Sequence, residues 1–202
     1  MNRINLKFSQ KFGGHWIKAK FYKKKPNLKE VKRIEGVRFC EAVKKAITYP
    51  ILLDRKSISC EGAQYALGWK SKYKNELLND CRDKNQTEIK VLQSLLSNIP
   101  HFRKPFKYIG LNTEGEADLI ISFSTPEKIK ELVKIYNYRD GDNLDVSLNS
   151  MMPICGGIAV KSYLEKKISL SFGCDDSRKF SGLGRDTLTI GIPNNLFKVF
   201  VD

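Results

Sequence analysis

Two hydrophobic periods alternate along this chain of 202 residues, and no other feature narrows its fold as much. Short apolar runs bounded by turn-forming residues read as strands: ILL at 51–53, ADLIISF at 117–123, KISLSF at 167–172 and TLTIGI at 187–192. GHWIKAKFY (14–22) alternates in part, and 144–149 gives a further strand. Helix patterns lie between them. Phe39, Val43, Ala46 and Ile47 share one face within 39–48, and SCEGAQYAL (59–67) reads as a helix closed by Gly68. Ile89, Leu92, Leu95 and Leu96 give a helix over 86–98. Thr125-Pro126-Glu127 starts another that runs to about Tyr138, and Cys155-Gly156-Gly157 opens the last, through Leu164. The pattern predicts an α/β (or α+β) fold: a single compact domain over 1–202, its mixed sheet flanked by helices. A chain of this length, 41% hydrophobic, buries a core without disulfide staples.

No apolar run approaches the ~18–20 residues that cross a bilayer, so no membrane span is expected. The opening segment MNRINLKFSQKFGGHW has no apolar h-region. A secretory signal is therefore not expected, and the expected location is cytoplasmic. There five cysteines read as free thiols, or as thiols used for metal or catalysis, rather than as a disulfide framework.

The net charge of +14 is unevenly spread. Residues 1–56 carry 16 Lys and Arg against 4 Asp and Glu, whereas 57–202 carry 20 against 18. The lysine-rich stretch, about 18–36, suits an acidic redox partner protein, a small anionic ligand or a merely solvated surface. Nucleic acid is the weaker reading, because no RNP-type motif or finger spacing is present; Phe21 and Tyr22 are its stacking candidates. A homo-oligomer is compatible with the sequence.

Cys40 and Cys60 are separated by 19 residues, Cys155 and Cys174 by 18, and the two pairs by 94. This is not a Cys-x-x-Cys array, so spacing alone signals neither zinc ribbon nor ferredoxin. Context says more. Cys40, Cys60 and Cys155 precede or open expected helices, where free N–H groups and a partial positive charge stabilise a thiolate. Gly156 and Gly157 would allow close backbone approach to a bulky anionic ligand. Cys174 leads into a turn-rich segment holding Arg178, Lys179 and Arg185, which supplies the compensation that converging thiolates need. Arg38, Arg178 and Arg185 are the candidate clamps for a carboxylate or phosphate.

The motifs RFCEAVKKA (38–46), ISCEGAQYALG (58–68), ICGGIAV (154–160) and CDDSRKFSGLGRDTLTIGIP (174–193) resemble those of an uncharacterised prokaryotic family, domain of unknown function 169. Cys40, Cys60, Cys155 and Cys174 fall on its cysteine positions and Arg178 on its arginine. Gly62, Ala63, Gly68, Phe180, Gly182 and Leu183 match as well. Asp176-Ser177 departs from the family's Gly-Asp, which implies a differently shaped loop there. Cys81 has no counterpart and reads as an ordinary thiol.

Four thiolates suit a four-iron iron–sulfur cluster (4Fe–4S) or tetrahedral zinc. Ligands spread over about 135 residues favour the cluster, because structural zinc normally uses tight ligand pairs. The expected function is therefore iron–sulfur binding with a redox or electron-transfer role. One alternative is an enzyme with a partly open cluster or reactive thiol acting on a small anionic substrate. The other is a structural zinc or metal-free binding module. His15 and His101 have no metal-type spacing, and no P-loop, dinucleotide fingerprint or Ser-His-Asp signature is present.

Overall fold

Six strands form one sheet in the computed structural model, which describes residues 3–73, 75–141, 143, 144, 146, 148 and 150–201. They are β1 (Trp16–Tyr22), β2 (Ile51–Leu53), β3 (Tyr108–Leu111), β4 (Leu119–Ser124), β5 (Ser169–Ser171) and β6 (Leu188–Pro193). Their order is β2-β3-β1-β4-β6-β5, and every strand pair is antiparallel. The α/β class follows. The parallel pairing of a mixed sheet is confined to two isolated bridges, Lys32 with Ile51 and Val37 with Ile58.

Alternate side chains of a strand face opposite sides of a sheet. β1 accordingly sends Ile17, Ala19 and Phe21 into one core and Trp16 into the other. β4 does the same with Leu119 and Ile121 against Ile120. Both faces are covered, which explains why β4 reads as an unbroken apolar run. One face carries α1 (Arg3–Phe12), α6 (Pro126–Asp140) and α9 (Phe197–Val201). Phe8, fully buried, joins Trp16, Phe197 and Phe200 there at centroid separations of 4.9, 6.2 and 6.1 Å.

The other face carries the cysteines. Its core receives α2 (Phe39–Lys45), α3 (Glu61–Ala66), α4 (Asn75–Asn85), α5 (Ile89–Ser97) and a π-helix, Cys155–Val160, that continues as α7 (Lys161–Glu165). α8 (Asp175–Ser181) packs on α2. Four elements had no sequence signal, α1, α4, α9 and β3, and α8 was expected as turns. The helix expected over 86–98 is α5, and α4 precedes it. The strand expected over 144–149 falls partly outside the described residues, and its described residues are not in a strand. Among the described residues, no helix is long and apolar enough to cross a membrane.

Beyond the end of β1 at Tyr22 the lysine-rich stretch leaves the sheet. It is a loop tied to the free edge of β2, with Lys32 N–H donating to the Pro50 carbonyl at 2.9 Å and Leu52 N–H to the Lys32 carbonyl at 3.0 Å. Lys18 does not belong to its surface. It is 3% exposed, and its ammonium donates to the carbonyls of Thr113 (2.6 Å) and Gly115 (2.9 Å).

Candidate metal centre

Three local contacts draw the cysteine segments together. Val37 N–H donates to the Ser57 carbonyl at 3.1 Å and Ser59 N–H to the Val37 carbonyl at 2.9 Å. This bridge sets the start of α2 beside the start of α3, hence Cys40 beside Cys60. α3 then packs on the π-helix: a methyl on Gly62 would lie 3.0 Å from Met152 Cγ, and one on Gly156 would lie 3.6 Å from Ala66 Cβ. That brings in Cys155. The packing of α8 on α2 brings in Cys174.

The four thiols line one cavity of about 130 Å³, shared with Arg38, Gly62, Tyr73, Met152 and Asp176. All four are free cysteines. Cys40 sits in the first turn of α2, Cys60 is the N-cap of α3, Cys155 opens the π-helix and Cys174 is the N-cap of α8. Each therefore lies where backbone N–H groups lack intrahelical partners. At Cys174 one of these is used: Ser177 N–H donates to the sulfur at 3.4 Å. In return Cys174 N–H donates to the Ser177 hydroxyl at 2.8 Å. This is a capping box with Cys in place of the usual hydroxyl, and it makes a helix of the segment expected to be turns.

Electrostatics follow from burial. Burial pushes the Cys155 thiol well above the ordinary range; the Cys60, Cys40 and Cys174 thiols push the same way, against the Gly156 N–H. Burial also raises Cys40, with the Ser181 hydroxyl opposing and Cys174 and Cys60 adding. Cys155 Sγ lies 3.7 Å from the Met152 carbonyl, to which its thiol donates. Buried thiols of this kind are protonated unless a cation joins them.

Arg38 reaches this site and closes one side of it. It pairs with Asp176 at 3.2 Å and stacks on Phe180. The other expected groups do not line the cavity. Arg178 donates to the Gly184 carbonyl at 2.8 Å, and Arg185 is exposed on the loop beyond α8. Gly156 and Gly157 do not line it either, although the Gly156 N–H acts on the Cys155 sulfur. A methyl on Gly156 would meet Ile99 Cγ2 at 2.8 Å and the Pro100 carbonyl at 3.2 Å, so that glycine serves helix packing; Gly157 faces open space. Phe21 is 5% exposed among Phe102, Phe106 and Tyr163, which removes it as a base-stacking surface. His101 lies against Tyr65 and His15 is exposed, neither at the thiols.

Tyr73 and Met152 carried no sequence signal beyond, for Met152, closeness to Cys155. Burial raises the Tyr73 phenol, with Cys81 the first of the neighbouring thiols to add. Cys81 lines a second cleft of about 540 Å³ with Lys84 and Asp175; Tyr73, Met152, Cys174 and Asp176 belong to both spaces.

A single tetrahedral ion holds its sulfurs at about 2.3 Å. Among the described residues, no group of three or more His, Cys, Asp or Glu is disposed to hold one metal ion.

Fold and site thus define a class: a two-faced antiparallel α/β protein with a four-thiol cavity at converging helix starts. Residues 15–202 match the family DUF169, described as uncharacterised ArCR, and the chain belongs to that family. No curated protein and no solved structure matches the chain.

Proposed function

We propose that Cys40, Cys60, Cys155 and Cys174 together bind one iron–sulfur cluster, of the 4Fe–4S type, and that the protein serves in electron transfer. One observation carries the reading: four sulfurs from four separate segments line a single cavity of about 130 Å³. An all-thiol donor set suits iron–sulfur clusters and zinc alike. Ligands drawn from four separate segments around one cavity suit the larger occupant, because structural zinc normally uses tight ligand pairs.

When bound, such a cluster supplies one-electron chemistry at a potential set by burial and by hydrogen bonds to sulfur. The chain's own contribution is readable. Met152 and Ile154 line the cavity with apolar atoms that exclude water. The Ser177 N–H donates to Cys174 sulfur, and Arg38 offers positive charge at the rim against the thiolates' negative charge.

The test is anaerobic purification followed by absorption and EPR spectra with iron and sulfide assay. The reading predicts about four irons and four sulfides per chain, the stoichiometry of the cluster type. Colourless protein without iron or sulfide, also after reconstitution with ferrous iron and sulfide, removes it.

A second reading is favoured by the adjoining cleft. Cys174 and Tyr73 face both spaces, so an enzyme with a partly open centre would bring a small anionic substrate there, past Lys84. A single Cys→Ser variant that keeps its metal would select this reading over a closed electron-transfer site.

A further inference from the structure

The cations that crowd the N-terminal half of the sequence are joined in the fold by cations from a distant segment. β1 ends at Tyr22 opposite the start of β3, as Tyr22 pairs with Tyr108 and Lys107 N–H donates to the Tyr22 carbonyl at 2.9 Å. β2 ends beside them, with Leu53 opposite Ile109. Three chain segments therefore meet at one pole of the sheet. Lys23, Lys24 and Lys25 leave β1, Arg55 and Lys56 follow β2, and Lys104 and Lys107 lead into β3; all seven are exposed. Among the described residues, no carboxylate forms an ion pair with any of them, in contrast to Lys130, which meets Glu131 at 3.5 Å on α6.

The pole holds a shallow groove of about 450 Å³. Trp69, Phe106 and Tyr108 line it, and Arg55, Lys56 and Lys107 stand around it with one carboxylate, Asp54, which accepts from the N–H groups of Lys56 and Ser57. The aromatic rings are not a stacking platform: Trp69 is 9% exposed and its indole N–H donates to the Phe106 carbonyl at 2.6 Å. Single-stranded nucleic acid needs open ring faces, so the surface suits an anionic protein better. Unpaired cations around a small apolar floor give fast, salt-sensitive docking with little buried area. The groove is also close to the thiols. Cys60 caps the start of α3, while Gly68 and Trp69 follow its end, a rise of about 9 Å over its six residues.

We propose that this pole is the docking surface for an acidic protein that exchanges electrons with the thiol centre. The redox part rests on the cluster reading above; the docking part does not.

The probes are poly-L-glutamate, for an acidic polypeptide, and oligothymidylate of equal charge. The chain has two tryptophans, so the Trp69 indole resonance reports on the groove and Trp16 serves as its internal reference. At low salt, poly-L-glutamate is expected to shift Trp69 and leave Trp16 in place. The triple variant Lys24→Glu/Lys104→Glu/Lys107→Glu is expected to bind at least tenfold more weakly. The variant Lys130→Glu/Lys134→Glu/Lys167→Glu has the same net charge and is expected to bind as the parent does. Equal losses in the two variants would reduce the effect to net charge and overturn the proposal. Tenfold tighter binding of oligothymidylate at the same groove would overturn it in favour of nucleic acid. All these signals are read without iron, so a failed cluster assay leaves the docking result standing on its own.

Discussion

The Arg38 guanidinium lies 4.0 Å from the centre of the Phe180 ring, joining the start of α2 to the far end of α8. The same guanidinium pairs with Asp176 in the first turn of α8 at 3.2 Å. One side chain thus spans α8 from both ends and holds the helix that carries Cys174 against the helix that carries Cys40.

Arg38→Ala should loosen this clasp. The stack contributes about 0.5–1 kcal/mol, and the ion pair less, since Asp176 is more than half exposed. A loss of about 1 kcal/mol, or about 2–4 °C in melting temperature for a chain of this size, is expected by thermal unfolding. Arg38→Lys keeps the charge but not the planar stack, and should recover less than half of the loss. A melting temperature unchanged in Arg38→Ala would show that the clasp holds nothing.

The four cysteines should not behave alike as thiols, yet should behave alike as ligands. In the metal-free protein, Cys155 and Cys40 are buried and Cys60 and Cys174 are half-buried. An alkylating probe is therefore expected to modify the latter two first. After anaerobic reconstitution, Cys→Ser at any of the four is expected to lower bound iron, while Cys81→Ser on α4 leaves it at the parent level. Iron retained at the parent level in Cys155→Ser would remove the buried thiol from the ligand set.

The pH response of the metal-free protein carries a definite sign. Burial raises the folded-state thiol pKa of both Cys155 and Cys40. A raised pKa favours the folded state while the group is protonated, so this stability is fully present below the unfolded value near 9 and is lost as pH rises above it. The slope reaches about 1.4 kcal/mol per pH unit for each thiol that stays protonated. Urea unfolding between pH 7 and 10.5 should show the fall, and Cys155→Ser should flatten it. Metal uptake requires thiolates and so should strengthen over the same rise in pH. A parent stability flat to pH 10.5 would mean that these thiols are not held neutral in the fold.

The sequence carried most strands and most helices on this side of the sheet because their signals are local. Apolar runs ending in Gly or Pro need no partner to be seen, and Cys60, Gly68 and Thr125-Pro126 mark helix ends by chemistry that acts within a few residues. What was illegible depends on distant chain. β3 is only YIGL, and it is a strand because β1 and β2 flank it; Gly110 is required there because a methyl would lie 2.5 Å from the Thr113 hydroxyl. α8 was read as turns because Cys is not an expected cap, and its box runs through sulfur. The four cysteines were legible as a set, but their neighbours were not. Tyr73 and Ser181 approach the thiols only through tertiary packing, and the arginines past Cys174 turned out to serve their own loop or the surface.

The two adjacent glycines separate packing from ligand approach. Had both been needed to let backbone come near a bulky anion, Gly156→Ala and Gly157→Ala would cost alike. The geometry says otherwise. A methyl at Gly156 meets Ile99 Cγ2 at 2.8 Å and the Pro100 carbonyl at 3.2 Å, while a methyl at Gly157 meets nothing within 4 Å. Ile99 is 2% exposed and cannot swing into solvent, so the π-helix must move away from the Ile99-Pro100 segment that follows α5. Gly156→Ala is expected to cost about 1–3 kcal/mol, as core overpacking does. Gly157→Ala is expected to be neutral or to gain up to about 1 kcal/mol from better helix propensity. Because the shift in Gly156→Ala moves Cys155 relative to Cys60, bound iron should fall with stability in that variant and stay at the parent level in Gly157→Ala. Paired unfolding curves and iron assays decide it, and iron lost in Gly157→Ala with stability intact would return that glycine to the ligand's surroundings.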